Sequence, residues 1–278
     1  MPLPRVQAFE FNDQPWAPAV LRATIVESLS RTLAWGRILD GLVDPLAEFL
    51  ARSGSSEVLE LGSGAGGPAE VLARAFRARG RSIRLVLTDL VPRPEAWEPL
   101  RAEHPDVVEF VAEPVDATRI PAHLACERGV DPAQPRARAR ALINVLHHFE
   151  PALARGVLRD SVAARAPVIV AEGFERNPLG FLPFAPVGLA ALALSPLLAR
   201  DDRLVRALLV YATPLALGAS IWDGVVSTLR VYTHDELLAF VDADPSYVWS
   251  SGTYAFPFGG KGTYFQGIPR ERLADPPG

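Results

Sequence analysis

Apolar positions over the first fifty residues recur at helical spacing. Leu21, Ile25, Leu29 and Leu33 fall four apart, and Leu39, Leu42, Val43, Leu46 and Leu50 continue in a second stretch. The cluster Arg52-Ser53-Gly54-Ser55-Ser56 breaks that pattern. Short apolar runs then predict five strands, at 58–61, 84–88, 107–111, 141–145 and 168–172. Helices are expected between them at 67–79, about 94–104 and about 150–164, and the polar stretch 127–140 reads as a loop. Strands alternating with helices imply right-handed βαβ units and a mainly parallel sheet covered on both faces. Farther on, Thr233 and Glu236 have the spacing of a capping box and start a short helix over 233–242. Runs at 247–254 and 263–268 with Gly259-Gly260 between them predict an antiparallel hairpin.

These patterns divide the chain into an N-terminal helical cap (1–55), an α/β core (56–173), an apolar helical insert (174–222), the closing part of the core (223–268) and a loose tail (269–278). At 278 residues and 30.0 kDa the chain suits one large domain, or one domain with a lid. Apolar residues at 49% and charged residues at 22% exclude intrinsic disorder. A net charge of −4 leaves no basic footprint for nucleic acid. The single cysteine, Cys126, excludes internal disulfides and a cysteine-built metal site, in keeping with a cytoplasmic protein. Lys261 is the only lysine, which disfavours Schiff-base chemistry. The opening residues meet Glu10 and Asp13 without an apolar run, so they do not read as a targeting segment.

The strongest chemical signal is Val58-Leu59-Glu60-Leu61-Gly62-Ser63-Gly64-Ala65-Gly66-Gly67, between the first strand and a helix. Glycines there let the backbone turn sharply and lie against a ligand. Gly62, Gly64 and Gly67 fit the dinucleotide pattern GxGxxG, while Glu60, Gly62, Gly64 and Gly66 fit the ExGxGxG of S-adenosylmethionine (SAM) enzymes. Charge separates the two. A pyrophosphate would be repelled by a carboxylate leading into the turn, whereas the ammonium and sulfonium of SAM are favoured by one. Asp89 closes the second strand, where an acid can accept both ribose hydroxyls of either cofactor. Asp116 follows the third strand beside Ala117, which leaves room for an adenine ring.

Together with Asn144-Val145-Leu146-His147-His148-Phe149, this series resembles class I SAM-dependent methyltransferases, over roughly 55–172 and 224–268. The resemblance implies a Rossmann-like, seven-stranded, mainly parallel sheet with one antiparallel strand, N-terminal helices and a helical insert. It implies SAM held by Glu60, Gly62, Ser63, Gly64, Gly66, Asp89, Leu90, Asp116 and Ala117, with Asn144 lining the methyl-transfer side. It also implies that the opening segment and the insert choose the substrate; the apolar insert itself suggests a small, lipophilic molecule, methylated on oxygen or carbon. An NAD(P)-dependent oxidoreductase and a non-catalytic, membrane-associated SAM-binding protein are the alternatives.

His147 and His148 follow the fourth strand and are candidate general bases, or else cap the next helix and pack at the cofactor's edge. Glu172, Asp223 and Arg230 are candidate substrate contacts, or else form ion pairs that latch the insert to the core. Trp16 and the opening helix are expected to cover the cofactor. No metal is expected, since no ligand triad stands out. The insert holds two apolar stretches, 179–199 and 204–222, joined by Arg200-Asp201-Asp202-Arg203. Pro183 and Pro186 are expected to confine the first regular helix to 187–199, too short at 1.5 Å per residue to span a bilayer. Pro196 and Pro214 are expected to interrupt it further. The insert therefore reads as a lid, a homodimer surface or a peripheral membrane contact.

Overall fold

A computed structural model describes residues 3–81, 83–128 and 136–273; positions 129–135 of the expected loop and 274–278 of the expected tail lie outside the described residues. In chain order the elements are α1 (Ala19–Trp35), α2 (Val43–Ser53), β1 (Glu57–Leu61), α3 (Gly67–Ala78), β2 (Arg84–Thr88), α4 (Pro94–Glu103), β3 (Val108–Phe110), α5 (Ala122–Ala125) and β4 (Ala139–Ile143). There follow α6 (Pro151–Ala163), β5 (Val168–Glu172), α7 (Ala185–Leu198), α8 (Arg203–Ala207), α9 (Leu215–Arg230), α10 (His234–Phe240), β6 (Tyr247–Phe256) and β7 (Gly260–Pro269).

The seven strands form one sheet in the order β3-β2-β1-β4-β5-β7-β6. Strands β1 to β5 pair in parallel, and β7 runs antiparallel to β5. This is the Rossmann-like arrangement expected from the sequence. The order runs outward from β1 through β3 and then returns to β4, so β1 and β4 flank the switch point. Ligands of open α/β sheets gather there, beyond the carboxyl ends of the strands. β1, β4 and β5 are buried at every position. That is why they read as continuous apolar runs rather than alternating ones.

Two strands differ from expectation for physical reasons. β4 starts and ends two residues earlier than the apolar run suggested. Its first residues lie beside Arg138 and Arg140, whose buried guanidiniums are neutralised by Glu57 (2.8 Å) and Asp160 (2.6 Å). Its end is set by Asn144, at a left-handed φ of 56°, a conformation asparagine tolerates better than most residues. β3 shortens to Val108–Phe110.

The chain resolves into two units whose boundaries cut across the five sequence regions. One gathers 1–38, 174–231 and 255–261; the other holds 39–173, 232–254 and 262–278. In the helical unit, α1, α7 and α9 share a small core of Leu21, Ile25, Leu192, Ala216 and Ala219. The regular helix α7 starts two residues before the expected 187, with Pro183 in the 3-10 stretch ahead of it, and only Pro196 acts more weakly than expected. Pro186 occupies the first turn of α7, where its missing N–H is no loss. Pro196 lies inside α7 without ending it. A 3-10 stretch, Pro178–Phe184, leads directly into α7, so the helical run Pro178–Leu198 is long and apolar enough to cross a membrane. Pro214 does mark a break, where the helical path bends by 78° before α9. α9 continues past the expected end of the insert to Arg230.

Candidate functional site

The glycine-rich turn leaves β1 at the switch point of the sheet. Its shape is drawn by hydrogen bonds to β2: the Ser63 N–H donates to the Thr88 carbonyl (2.9 Å), and the Thr88 hydroxyl donates to the Glu60 carbonyl (2.7 Å). Gly62, Gly64 and Gly66 all take left-handed backbone, at φ of 74°, 53° and 82°. Gly66 is also where the turn meets α4. A Cβ there would lie 2.6 Å from Leu100 Cδ1 and 3.2 Å from Trp97 Cδ1. Gly64 differs, because a Cβ built on it meets nothing within 4 Å. Its carbonyl accepts the Trp97 indole N–H at 3.0 Å, which ties the turn to α4.

Glu60 is 1% exposed, and neither carboxylate oxygen has a hydrogen-bond partner. Burial pushes this carboxyl up to about 7; the Ser63 hydroxyl opposes the rise and the charge of Asp89 adds to it. A buried, unmatched carboxylate is costly, and such a group is rare in native proteins unless water, an ion or a functional role accounts for it.

Asp89 stands at the end of β2 and binds across the turn. One carboxylate oxygen accepts the Gly64 N–H at 2.8 Å and the other accepts Val91 N–H at 2.9 Å. Leu90 beside it is exposed. Asp116 lies beyond the end of β3, yet the Val115 N–H donates to the Asp89 carbonyl (2.8 Å) and brings the two acids together. Asp116 accepts from both the backbone and the hydroxyl of Thr118, which hold its carboxyl below the usual range. Ala117 is half-buried beside it. Glu60, Asp89 and Asp116 therefore cluster along the carboxyl edge of β1, β2 and β3.

On the other side of the switch point, Asn144 accepts the Gly173 N–H at 3.2 Å and so joins the ends of β4 and β5. His147 is buried, with Nδ1 at 2.7 Å from Glu172 Oε2, and its backbone N–H donates to Glu172 Oε1 at 3.1 Å. The half-buried His148 ring lies 4.2 Å from that of His147. The Tyr254 hydroxyl donates to the Glu172 carbonyl (3.1 Å), and burial drives that phenol's pKa upward. Glu172 thus faces a histidine, and the structure joins two residues that the sequence had listed for separate tasks.

Trp16, Asp223 and Arg230 fall in the helical unit. Trp16 is exposed and packs edge-on against Phe9 and Phe11. Asp223 is buried and accepts the N–H groups of Phe11 (2.6 Å) and Asn12 (3.0 Å); burial raises its carboxyl to about 6. Arg230 donates to the Ala8 carbonyl and to Glu10 at 2.8 Å. Both side chains fasten the N-terminal segment to α9. Sequence reasoning missed Trp97 and Tyr254. Trp97 could have been noticed as a tryptophan in the helix that follows the second strand.

No known protein family and no curated protein matches the chain. Among solved structures it is similar to a candidate O-methyltransferase from Nostoc punctiforme PCC 73102, at 14% identity and TM-score 0.46, covering 95% of this chain and 64% of that one. The plantazolicin methyltransferase BpumL, solved in complex with SAH, is similar at 12% identity and TM-score 0.43, over 91% of this chain and 100% of that one. An O-methyltransferase family protein from Burkholderia thailandensis gives 17% identity and TM-score 0.45, over 89% and 60%. The chain thus spans less than two thirds of the Nostoc and Burkholderia structures.

Proposed function

We propose that the chain is a SAM-dependent methyltransferase acting on a small, lipophilic molecule at oxygen or carbon, in a cytoplasmic setting. One observation carries the reading: the buried Glu60 carboxylate, without a hydrogen-bond partner, stands at the root of a left-handed glycine turn. The open space over Gly64 lies in that same turn. A ligand with a cationic head satisfies the carboxylate. A phosphate about 4 Å away would instead cost roughly 4 kcal/mol at an effective dielectric near 20.

The residues fit SAM on their own chemistry. Glu60 supplies negative charge, Asp89 keeps acceptor capacity for ribose hydroxyls, and Asp116 offers an acceptor beside the small Ala117. Bound there, SAM supplies an electrophilic methyl whose departure leaves a neutral thioether. The protein's task is mainly alignment, which is worth on the order of 7–11 kcal/mol. Where the acceptor is a hydroxyl, His147 takes its proton. Glu172 holds Nδ1–H and thereby directs the basic lone pair to Nε2. Glu172 is then a positioning residue, its backbone carbonyl accepting from the Tyr254 hydroxyl. The apolar composition of 178–222, the stretch expected to choose the substrate, supports a lipophilic acceptor.

The test is mass spectrometry of small molecules released from denatured protein, with calorimetric titration of SAH and NAD. Released SAH and SAH binding support the proposal. NAD released or bound in preference to SAH overturns it.

A further inference from the structure

The helical unit turns many large apolar side chains outward and several polar ones inward. Between 182 and 198 every exposed residue of α7 and its approach is apolar, Leu189, Leu194 and Leu197 among them, whereas Ser195 is fully buried. On α9 the exposed positions include Leu215, Ile221 and Trp222, while Asp223, Thr228 and Arg230 are buried. On α8, Leu204 is 82% exposed and Arg206 only 5%, turned inward onto Glu27 at 2.8 Å. On α1, Val26, Leu29 and Trp35 face outward, while Thr24, Ser28 and Thr32 lie inward beside Leu21, Ile25 and Leu33. The helices also meet through small side chains: a Cβ on Gly188 of α7 would lie 3.6 Å from the Thr32 hydroxyl.

Water drives the opposite arrangement, with apolar groups inward. Helices solvated by lipid gain nothing from hiding leucine, and they associate through Gly, Ala, Ser and Thr with their polar groups inward. Here Thr24, Ser28, Thr32, Ser195 and Thr228 share the interior with Leu21, Ile25, Leu33, Phe184 and Leu192, while most leucines of α7 and α8 stand outward. At the margin stand Trp16 and Trp222, whose indole N–H groups bond to Gln14 and to the Phe9 carbonyl. Tryptophan favours the bilayer interface in just this half-polar manner.

We propose that the exposed face of α7, α8 and α9 docks into the hydrocarbon of a lipid bilayer. The insertion is from one side, since the path from α8 to α9 bends by 78° and Arg200-Asp201-Asp202-Arg203 prefers the headgroups. The two arginines and two aspartates of that connector cancel, so apolar burial rather than charge supplies the binding. This inference does not rest on the transferase reading.

The test is flotation of the full chain with phosphatidylcholine vesicles in 0.1 and 1 M NaCl, alongside Leu197→Glu and Leu204→Glu. Both sites are exposed, so urea unfolding midpoints stay unchanged. The expected result is flotation at both salt concentrations, with partition cut roughly tenfold or more by each substitution. Failure to float on neutral vesicles overturns the proposal. So does binding confined to anionic vesicles at low salt. A dimer in sedimentation equilibrium that Leu197→Glu disperses, without flotation, overturns it in favour of a second copy.

Discussion

Gly64 and Gly66 share a left-handed backbone two residues apart, but they answer to different demands. Gly66 is crowded by Leu100 and Trp97, whereas Gly64 faces open space. Gly66→Ala should therefore cost about 3 kcal/mol of stability in urea unfolding, from backbone strain and overlap together. Gly64→Ala should cost only about 1 kcal/mol yet weaken SAH binding tenfold or more by calorimetry. Glu60 links the turn to pH. Its carboxyl sits near 7 in the folded chain and near 4.5 when unfolded, so the folded form holds a proton that the unfolded form has already lost. The stability from this group is full below about pH 4.5 and falls as pH rises to 7. Comparing parent and Glu60→Gln in urea, the parent should lose about 2–3 kcal/mol relative to the variant between pH 5 and 8. The ammonium group of SAH favours the ionised form, so parent affinity rises over the same interval. Glu60→Gln should bind more weakly and lose that dependence. The acids themselves were legible, because a charged residue before a glycine run has few other uses. The pairing of His147 with Glu172 was not, since only the register of β4 against β5 brings them together.

At the scale of elements, period and punctuation carried most of the information. β2 and β5 match their apolar runs, and the Thr233–Glu236 capping box forms as its spacing implies. The misplacement of β4 arose because buried arginines look like loop residues until their partners are known. Proline was over-read for a related reason: Pro196 stands where a helix can accommodate it. α9 shows what local reading leaves out. Asp223 and Arg230 were read as substrate contacts or as latching ion pairs, and in the structure they bind backbone and acids of residues 8–13, far away in the chain. Asp223→Ala leaves the Phe11 and Asn12 N–H groups without acceptors, at about 1–3 kcal/mol each. Hydrogen–deuterium exchange at 8–13 should accelerate about tenfold or more, and the exchange of β1 should hold.

For the molecule as a whole, the two units differ in how much the sequence could disclose. The sheet unit follows from alternation and turn chemistry, which are local. The helical unit is drawn from three separate stretches of chain, and no local pattern announces such a gathering. Its outward leucines were visible as apolar runs, but which side they face emerges only once the inward serines and arginines are placed. Added SAH should slow hydrogen exchange together at 62–67, 89–91 and 115–118, although these loops are far apart in sequence. Protection confined to one of them would mean that the acids do not act as a set. Arg230 grips the Ala8 carbonyl across 222 positions. On a ribosome adding roughly 5–20 residues per second, the emerging N-terminus waits some 10–45 s for that anchor. The backbone of residues 8–12 stays without its partners on α9 for all of that interval, so protease cleavage within 8–13 should be fast on nascent chains and slow once synthesis has passed α9.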